Sequence, residues 1–461
     1  MNLLKKIKKS VYPSKDYVFR DIDIDSKKVS LIFNETLCDT ARINEFLVNS
    51  IVKLKKKDLK NLENKLISCS MKIIKEDDIL FYLNNGFVIV YYKKIYACEV
   101  KARLDRGVVT AQSELSISGP KDGFSENFNT NLGLIRRRIK SDKLEVIDLL
   151  IGRETKTKVG ILYMRNITSP KLVKKIRNDL EKIDIDGIID SSYLKNSLEN
   201  KNNIFPTIMM SERPDKSSMA LLEGRIVLIV DNSPYVIILP SLFFDFFHTT
   251  DDYFQKSFNT SFIRIIRLFA FIIAIFTPAI YIAVTTRNYD LVPVQLLMVL
   301  KAGRTFVPFP AYLEALFMIV CFEILKESDL RMSTTSGSAV SILGGLILGD
   351  AAVSAGIVSP IMIIVIAISS IAGLTFSSIE LVNALRLYKI IVLILGTLLG
   401  IYGVIIGFVL LLINILSTNV YGYKYLEFDK YEIMDSIIKV DRKTKYRNSR
   451  LTKNVVRGHY R

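Results

Sequence analysis

The sequence predicts an α/β soluble N-terminal region, built from two similar subdomains, followed by an all-α polytopic membrane domain. Two observations carry this. First, the solvent for which the chain is written changes near residue 262. The segment before it is charged and mixed in pattern, whereas 268–286 carries no charge, 332–379 carries only Asp350, and 390–418 carries none. A helix needs about 20 apolar residues to cross a bilayer, and these runs reach that length. Second, the soluble half contains a repeat. KVSLIFNETLCDTARINEFLVNSIVK (28–53) and KVGILYMRNITSPKLVKKIRNDLEKID (158–184) each read as an apolar run, a polar turn and a helical pattern.

Composition agrees with this division. Half of the 461 residues are hydrophobic and 24% are charged, so the two kinds of sequence are segregated. The net charge of +17 needs no nucleic acid, because the positive-inside rule accounts for it. MNLLKKIKKS has basic residues with no apolar run behind it, so it does not read as a signal peptide, and the first domain is expected to stay cytoplasmic. Cys38, Cys69, Cys98 and Cys321 form no CxxC pair, and there are only two histidines. Neither a disulfide framework nor a metal site is expected.

Five segments follow. Subdomain one covers 1–118, a linker helix 119–144, subdomain two 145–250, the membrane domain 251–418, and a basic cytoplasmic tail 419–461. Each subdomain ends in an apolar hairpin, NNGFVIVYYKKIYACEV (84–100) and LEGRIVLIVDNSPYVIILP (222–240). Their β-branched and aromatic content marks strands, and Asn232 with Pro234 marks a tight turn. The offsets between copies, 130 and 138 residues, nearly agree. That is the pattern of a duplication, or of two convergent αβ units. In the linker, Gly119, Pro120 and Gly123 make a turn, and 125–140 predicts a helix ending in Arg136, Arg137 and Arg138. A glycine-rich turn before a helix can hold phosphate, but neither GxxxxGK[ST] nor GxGxxG is present. The three arginines are either a solvated helix end or an interface to another subunit or to anionic headgroups.

The chain carries no HExxH and no GxSxG, and His248 and His459 stand alone. No enzyme is predicted, and no cofactor.

The membrane half predicts four spans: about 263–286, 309–326, a broken 337–376, and 388–416. Arg264 and Arg267 share one face at the entry of the first span and are expected to snorkel to headgroups. Pro278 is placed to kink that helix. The segment 291–310, interrupted by Lys301 and Arg304 and bracketed by prolines, reads as interfacial or re-entrant. Glu314 and Glu323 then place ionisable groups inside the next span. Such groups are costly in hydrocarbon and face protein or water, so they read as a polar stripe lining a pathway or interface. Glu323 can instead reach the headgroup boundary near Lys326.

In 332–376, Ser341, Gly345 and Gly349 recur every four residues, as do Ala352 and Gly356, which lets helix backbones approach closely. Asp350 and Pro360 interrupt the run, giving one broken span or a tight hairpin. Asp350 is the candidate gating residue; the other reading is a solvated cap in a turn. Gly396, Gly400, Gly403 and Gly407 fall on one face of the last predicted span. The tail from Tyr423 holds eleven Lys/Arg against five Asp/Glu, which puts it in the cytoplasm. Two cytoplasmic ends require an even number of spans, and a hairpin in 337–376 would make five.

Long blocks of this sequence are familiar. ERPDKSSMALLEGRIVLIVDNSPYVIILPSLFFDFF (212–247), PFPAYLEALFMIVCFEILKESDLRM (308–332), LGGLILGDAAVSAGIVSPIMIIVIAISSIA (343–372) and GPKDGFSENFNTNLGLIRRR (119–138) resemble the A subunit of GerA-type spore germination receptors. The resemblance implies a nutrient-sensing complex in the spore inner membrane. In it, an A subunit works with a transporter-like B subunit that holds the germinant and with a C lipoprotein, and A subunits form a homo-oligomer that conducts ions. The chain departs from the family at 332–335, where Met-Ser-Thr-Thr replaces a proline-rich stretch, and at Asp350, where glutamine is common. A standalone secondary transporter would show inverted repeats with paired broken helices; only one broken segment is visible. A non-conducting membrane scaffold is the third reading.

Overall fold

The computed structural model describes residues 3–11, 14–25, 27–54, 62, 71–102, 111, 114, 116–117, 119–200, 203–331, 334–426 and 436–439, with backbone only at 9 and 330–343. Cys69, the side chain of Ser341 and most of the basic tail lie outside this set.

The N-terminal region is α/β, and its two sheets share one topology. The first contains β1 (Tyr17–Ile24), β2 (Lys27–Asn34), β3 (Met71–Ile73), β4 (Phe87–Tyr92) and β5 (Lys94–Glu99), in spatial order β1-β2-β4-β5-β3. The second contains β6 (Leu144–Ile151), β7 (Thr157–Met164), β8 (Met209–Ser211), β9 (Ile226–Val230) and β10 (Val236–Leu239), in the order β6-β7-β9-β10-β8. Every pairing is antiparallel. The same permutation of five strands twice, with a helix after the second strand each time, is what a duplicated unit produces.

The period-two alternation of strands explains the packing. In β9, Ile226, Leu228 and Val230 face one apolar cluster while Val227 and Ile229 face another. The first cluster is closed by Leu172, Val173, Ile176 and Leu180 of the helix Pro170–Glu181. The second runs on through the linker helix α1 (Phe128–Arg138) into the C-terminal helices. Asn127 caps α1, its side chain accepting from the amide of Thr130 at 3.0 Å.

The C-terminal part is helical: α2 (Ser257–Thr286), α3 (Val294–Ala302), α4 (Ala311–Arg331), α5 (Thr334–Ser354), α6 (Pro360–Gly373), α7 (Ile379–Leu399) and α8 (Ile401–Ser417). Among the described residues, α2 and α7 are long and apolar enough to cross a bilayer by length and composition.

Two apolar clusters define the ends of this bundle. Phe271, Ala274, Ala372, Phe376, Leu385, Tyr388 and Leu411 pack together beside the soluble half. Ile282, Ala315, Ala352, Val358, Met362 and Leu393 pack at the far end. Hence α2 and α7 run away from the soluble half, and α6 and α8 run back. The Glu323–Arg386 pair joins the end of α4 to the start of α7, so α4 also runs back. Gly344 lies against Leu325, so α5 runs away beside α4.

Of the two forms expected for 337–376, the structure has the hairpin, made by α5 and α6. The segment 388–416, expected as one helix, is also a hairpin, α7 and α8, turned at Gly400 with φ +64°. Hydropathy could not separate α7 from α8 because their turn contains no polar residue.

Candidate functional site

At the far end of the bundle, the Glu314 carboxylate is fully buried. Its Oε1 receives Arg304 at 2.9 Å, and its Oε2 accepts the Ser359 amide at 3.0 Å. The buried hydroxyls of Tyr281 and Ser359 lie beside each other in the same neighbourhood, without a well-aligned hydrogen bond among the described residues. The partner of Glu314 comes from the 291–310 segment. That segment caps the far end, where Gly356 (φ +66°) packs against the Phe306 carbonyl.

Glu323 sits on the same helix but at the end near the soluble half, 2.8 Å from Arg386 of α7. Glu314 and Glu323 therefore serve two separate clusters rather than one stripe. Asp350 joins neither. It is exposed on α5, and among the described residues it makes no hydrogen bond or ion pair. Leu346, Ile347, Asp350, Ala351, Ser354 and Ala355 form one exposed face at helical spacing. The reading of Asp350 as a turn cap fails, because it lies within the helix, four residues before its end.

The glycines divide by role. An alanine methyl at Gly396 would lie 3.1 Å from Ala279 O of α2, and one at Gly403 would lie 1.9 Å from Leu395 O of α7. At Gly407 it would meet Val392 Cγ2 at 2.9 Å. Gly400 supplies the turn, where the Asn288 side chain accepts from the Ile401 amide at 3.0 Å. The four are thus not one face of one helix: Gly403 and Gly407 close the hairpin, Gly396 brings α7 onto α2, and Gly400 makes the turn. Gly345 has ordinary contact with Leu325, and Gly349 faces open space.

The linker arginines also separate. Arg136, 1% exposed, donates to Asp16 through Nε (2.8 Å) and Nη2 (3.0 Å), locking the segment before β1 onto α1. A solvated end or an intersubunit contact is excluded for this residue by its burial. Arg138 pairs with Asp122, and Arg137 is exposed.

Arg264 and Arg267 do not snorkel. Both are buried on Asp252, at 3.4 and 2.7 Å, and Arg267 also donates to Phe247 O at 2.9 Å. Burial opposes the Asp252 charge, but the Arg267 hydrogen bond, together with the charges of Arg267, His248 and Arg264, outweighs it and lowers this carboxyl's pKa. Burial, with the neighbouring Arg264, lowers His248 to about 4. Its Nε2 lies 2.9 Å from Ser436 O, so the ring is neutral and acts as a structural link at physiological pH.

Sequence reasoning missed the junction between the halves. The Phe205 ring stacks on Tyr388 of α7 at 5.2 Å, and Phe243, Phe247, Phe271, Phe376 and Tyr425 complete an aromatic cluster. Tyr425 donates to Pro206 O at 2.6 Å, returning the chain after α8 to the second sheet. Lys195 reaches Glu380 at the start of α7 at 3.0 Å. The FFDFF string at 243–247 was the available signal.

A family model described as Bacillus/Clostridium GerA spore germination protein matches residues 5–450. Spore germination protein KA of Bacillus subtilis (strain 168) is 35% identical over 456 residues, covering 95% of this chain and 84% of its own. Spore germination protein GerQA of Bacillus cereus is 33% identical, over 92% and 85% of the two chains. A Bacillus subtilis (strain 168) protein described as the uncharacterized membrane protein YfkQ is 32% identical, over 82% and 73%. A solved structure, the N-terminal domain of the A subunit of the Bacillus megaterium spore germinant receptor GerK3, is similar at 28% identity with a TM-score of 0.41, covering 52% of this chain and 94% of that one. With a match over nearly its whole length, the chain belongs to the Bacillus/Clostridium GerA family of spore germination proteins.

Proposed function

We propose that this chain is the membrane subunit of a nutrient germinant receptor, and that it oligomerises and opens an ion-release path when a partner subunit binds germinant. The observation that carries the mechanism is Asp350. It lies exposed on a face otherwise made of small and apolar residues, on a helix of an apolar bundle. An ionised carboxylate facing hydrocarbon is costly. That face therefore meets another copy of the chain or water in the assembled receptor. Family membership supports the role in germination, and the name of one relative supports the membrane.

The bundle has six passes in this reading, not four, with 1–250 and the tail both on the spore-core side of the inner membrane. A transporter-like B subunit and a C lipoprotein are the partners. Pull on the soluble half reaches α2 and α7 through the aromatic junction, which couples a partner's conformational change to the bundle. The relatives carry the names of germination proteins and of a membrane protein, which supports a receptor subunit over an enzyme.

The test is the purified full-length chain. Its mass in detergent should exceed that of one copy, and liposomes containing it with its partners should release ions on germinant addition. Asp350→Asn should change that release at an unchanged amount of complex. A monomer, or unaltered release in the variant, refutes the mechanism; inward transport of a solute by the chain alone would support a transporter instead.

A further inference from the structure

Between α4, α6 and α7, at the end of the bundle beside the soluble half, lies a cavity of about 270 Å³. Its charged lining is Glu323, Lys326, Asp329, Arg386 and Lys389, and Phe322, Leu325 and Leu374 supply apolar wall. Glu323 is committed to Arg386. Even so, the buried Arg386 Nε makes no well-aligned hydrogen bond, although it lies 2.8 Å from that carboxylate. Asp329 is exposed. Among the described residues, Lys326 and Lys389 form no ion pair or hydrogen bond, yet Lys389 is only 7% exposed. Both ammonium groups open onto the cavity with no carboxylate paired to them, and a half-enclosed site with unpaired cations favours an anion. The cavity sits at the level where Glu380 meets Lys195 of the soluble half, which is headgroup depth if the bundle spans the membrane.

We propose that this cavity binds the phosphate of an anionic phospholipid, held by Lys326 and Lys389 beside the Arg386 guanidinium, with the start of an acyl chain along the apolar wall. The inference rests on the membrane reading above. The cavity is larger than a phosphate requires, and its apolar wall continues onto the exposed surface at Leu374, which favours a lipid over a free anion. A lipid there would bridge α4 to α7 and tie their packing to membrane composition.

The test uses the full-length chain and native mass spectrometry with dioleoylphosphatidylglycerol, dioleoylphosphatidylcholine and inorganic phosphate as probes. Phosphatidylglycerol should bind in preference to phosphatidylcholine, and millimolar inorganic phosphate should not displace it. Lys326→Gln with Lys389→Gln should weaken binding by about thirtyfold, the product of two cation contributions. Leu374→Trp keeps every charge, fills the wall from an exposed position, and should also weaken binding; it decides the matter if the double variant fails to fold. Equal binding of both lipids, unchanged affinity in the variants, or displacement by inorganic phosphate overturns the proposal. Membranes washed with carbonate separate the two readings. Protein released by the wash refutes the membrane placement, whereas retained protein with no lipid preference refutes the site alone.

Discussion

Alanine at Gly403 puts a methyl carbon 1.9 Å from the Leu395 carbonyl oxygen and 2.4 Å from its carbon. Both atoms are backbone, so no rotamer change relieves the clash. The α7–α8 hairpin must open by about 1.5 Å to take that 1.9 Å to an ordinary contact of 3.4 Å, and Asn288, which holds its turn, resists that movement. Overpacking a well-packed interior costs about 1–3 kcal/mol, occasionally more. A backbone-to-backbone collision belongs at the top of that range. For a helical domain of this size, about 3 kcal/mol lowers the apparent Tm by roughly 6–12 °C.

Two other glycines make internal controls. Gly407→Ala meets only the Val392 side chain, at 2.9 Å, and that side chain can shift, so about 1 kcal/mol is expected. Gly349→Ala meets nothing within 4 Å, and alanine is the better helix former by about 1 kcal/mol, so it should be neutral or stabilising. Thermal unfolding of the three full-length variants in detergent, read by tryptophan-free far-UV circular dichroism, gives the order. The order 403, then 407, then 349 in decreasing damage supports the hairpin. If Gly403→Ala melts with Gly349→Ala, α7 and α8 do not pack as described.

Asp16→Asn leaves Arg136 buried without its charge partner and should cost about 3–5 kcal/mol, whereas replacing the pair as Asp16→Leu with Arg136→Met should recover most of it; hydrogen exchange in β1 and β2 of the intact chain checks both. Arg304→Gln strips the buried Glu314 carboxylate of its cation and should destabilise the far end by a similar amount, seen as faster exchange in α4 and α6. Acid should loosen the junction. An unfolded histidine titrates near 6.5 while folded His248 titrates at about 4. The unfolded chain therefore binds the extra proton between those values, and stability falls as pH drops from 6.5 to 4, by at most about 3 kcal/mol. Asp252, with its pKa lowered, adds a further loss below its ordinary value of 3.8. His248→Gln should flatten the Tm profile between pH 4 and 6.5; an unchanged slope would remove His248 as its source.

The soluble half was legible because strands and helices write different periods, and the two hairpins at 84–100 and 222–240 sit at nearly equal offsets. The charged contacts were not. Arg136, Arg264 and Arg267 look like surface residues in sequence, since arginine is ordinarily exposed. Their burial depends on Asp16 and Asp252, which lie 120, 12 and 15 residues away. Glu314 was expected to face protein or water, but its partner Arg304 belonged to a segment read as separate from the span. The aromatic junction was invisible for the same reason: Phe205, Phe247, Tyr388 and Tyr425 come from four distant stretches.

The four spans expected from the sequence and the six passes proposed above both put the two ends of the chain on one side, and the reason is physical. Residue charge reports on the ends of a membrane segment, while hydropathy reports on its length, and the two signals fail differently. A hairpin whose turn is a bare glycine has no charge to mark it. Gly400 is of this kind, so the 29-residue uncharged run 390–418 concealed a reversal, whereas Asp350 and Pro360 beside the 355–359 turn left a hairpin open as one of two readings. Each turn adds one pass. Two of them restore the parity that one would have broken, and Tyr425 returns to Pro206 beside the second sheet. Any structure that unfolds only one of the hairpins must carry Tyr425 to the opposite end of the bundle. The hydrogen bond from Tyr425 and the stacking of Phe205 on Tyr388 therefore hold the direction of the last helix as well as the junction, where the N-terminal region and the bundle constrain each other.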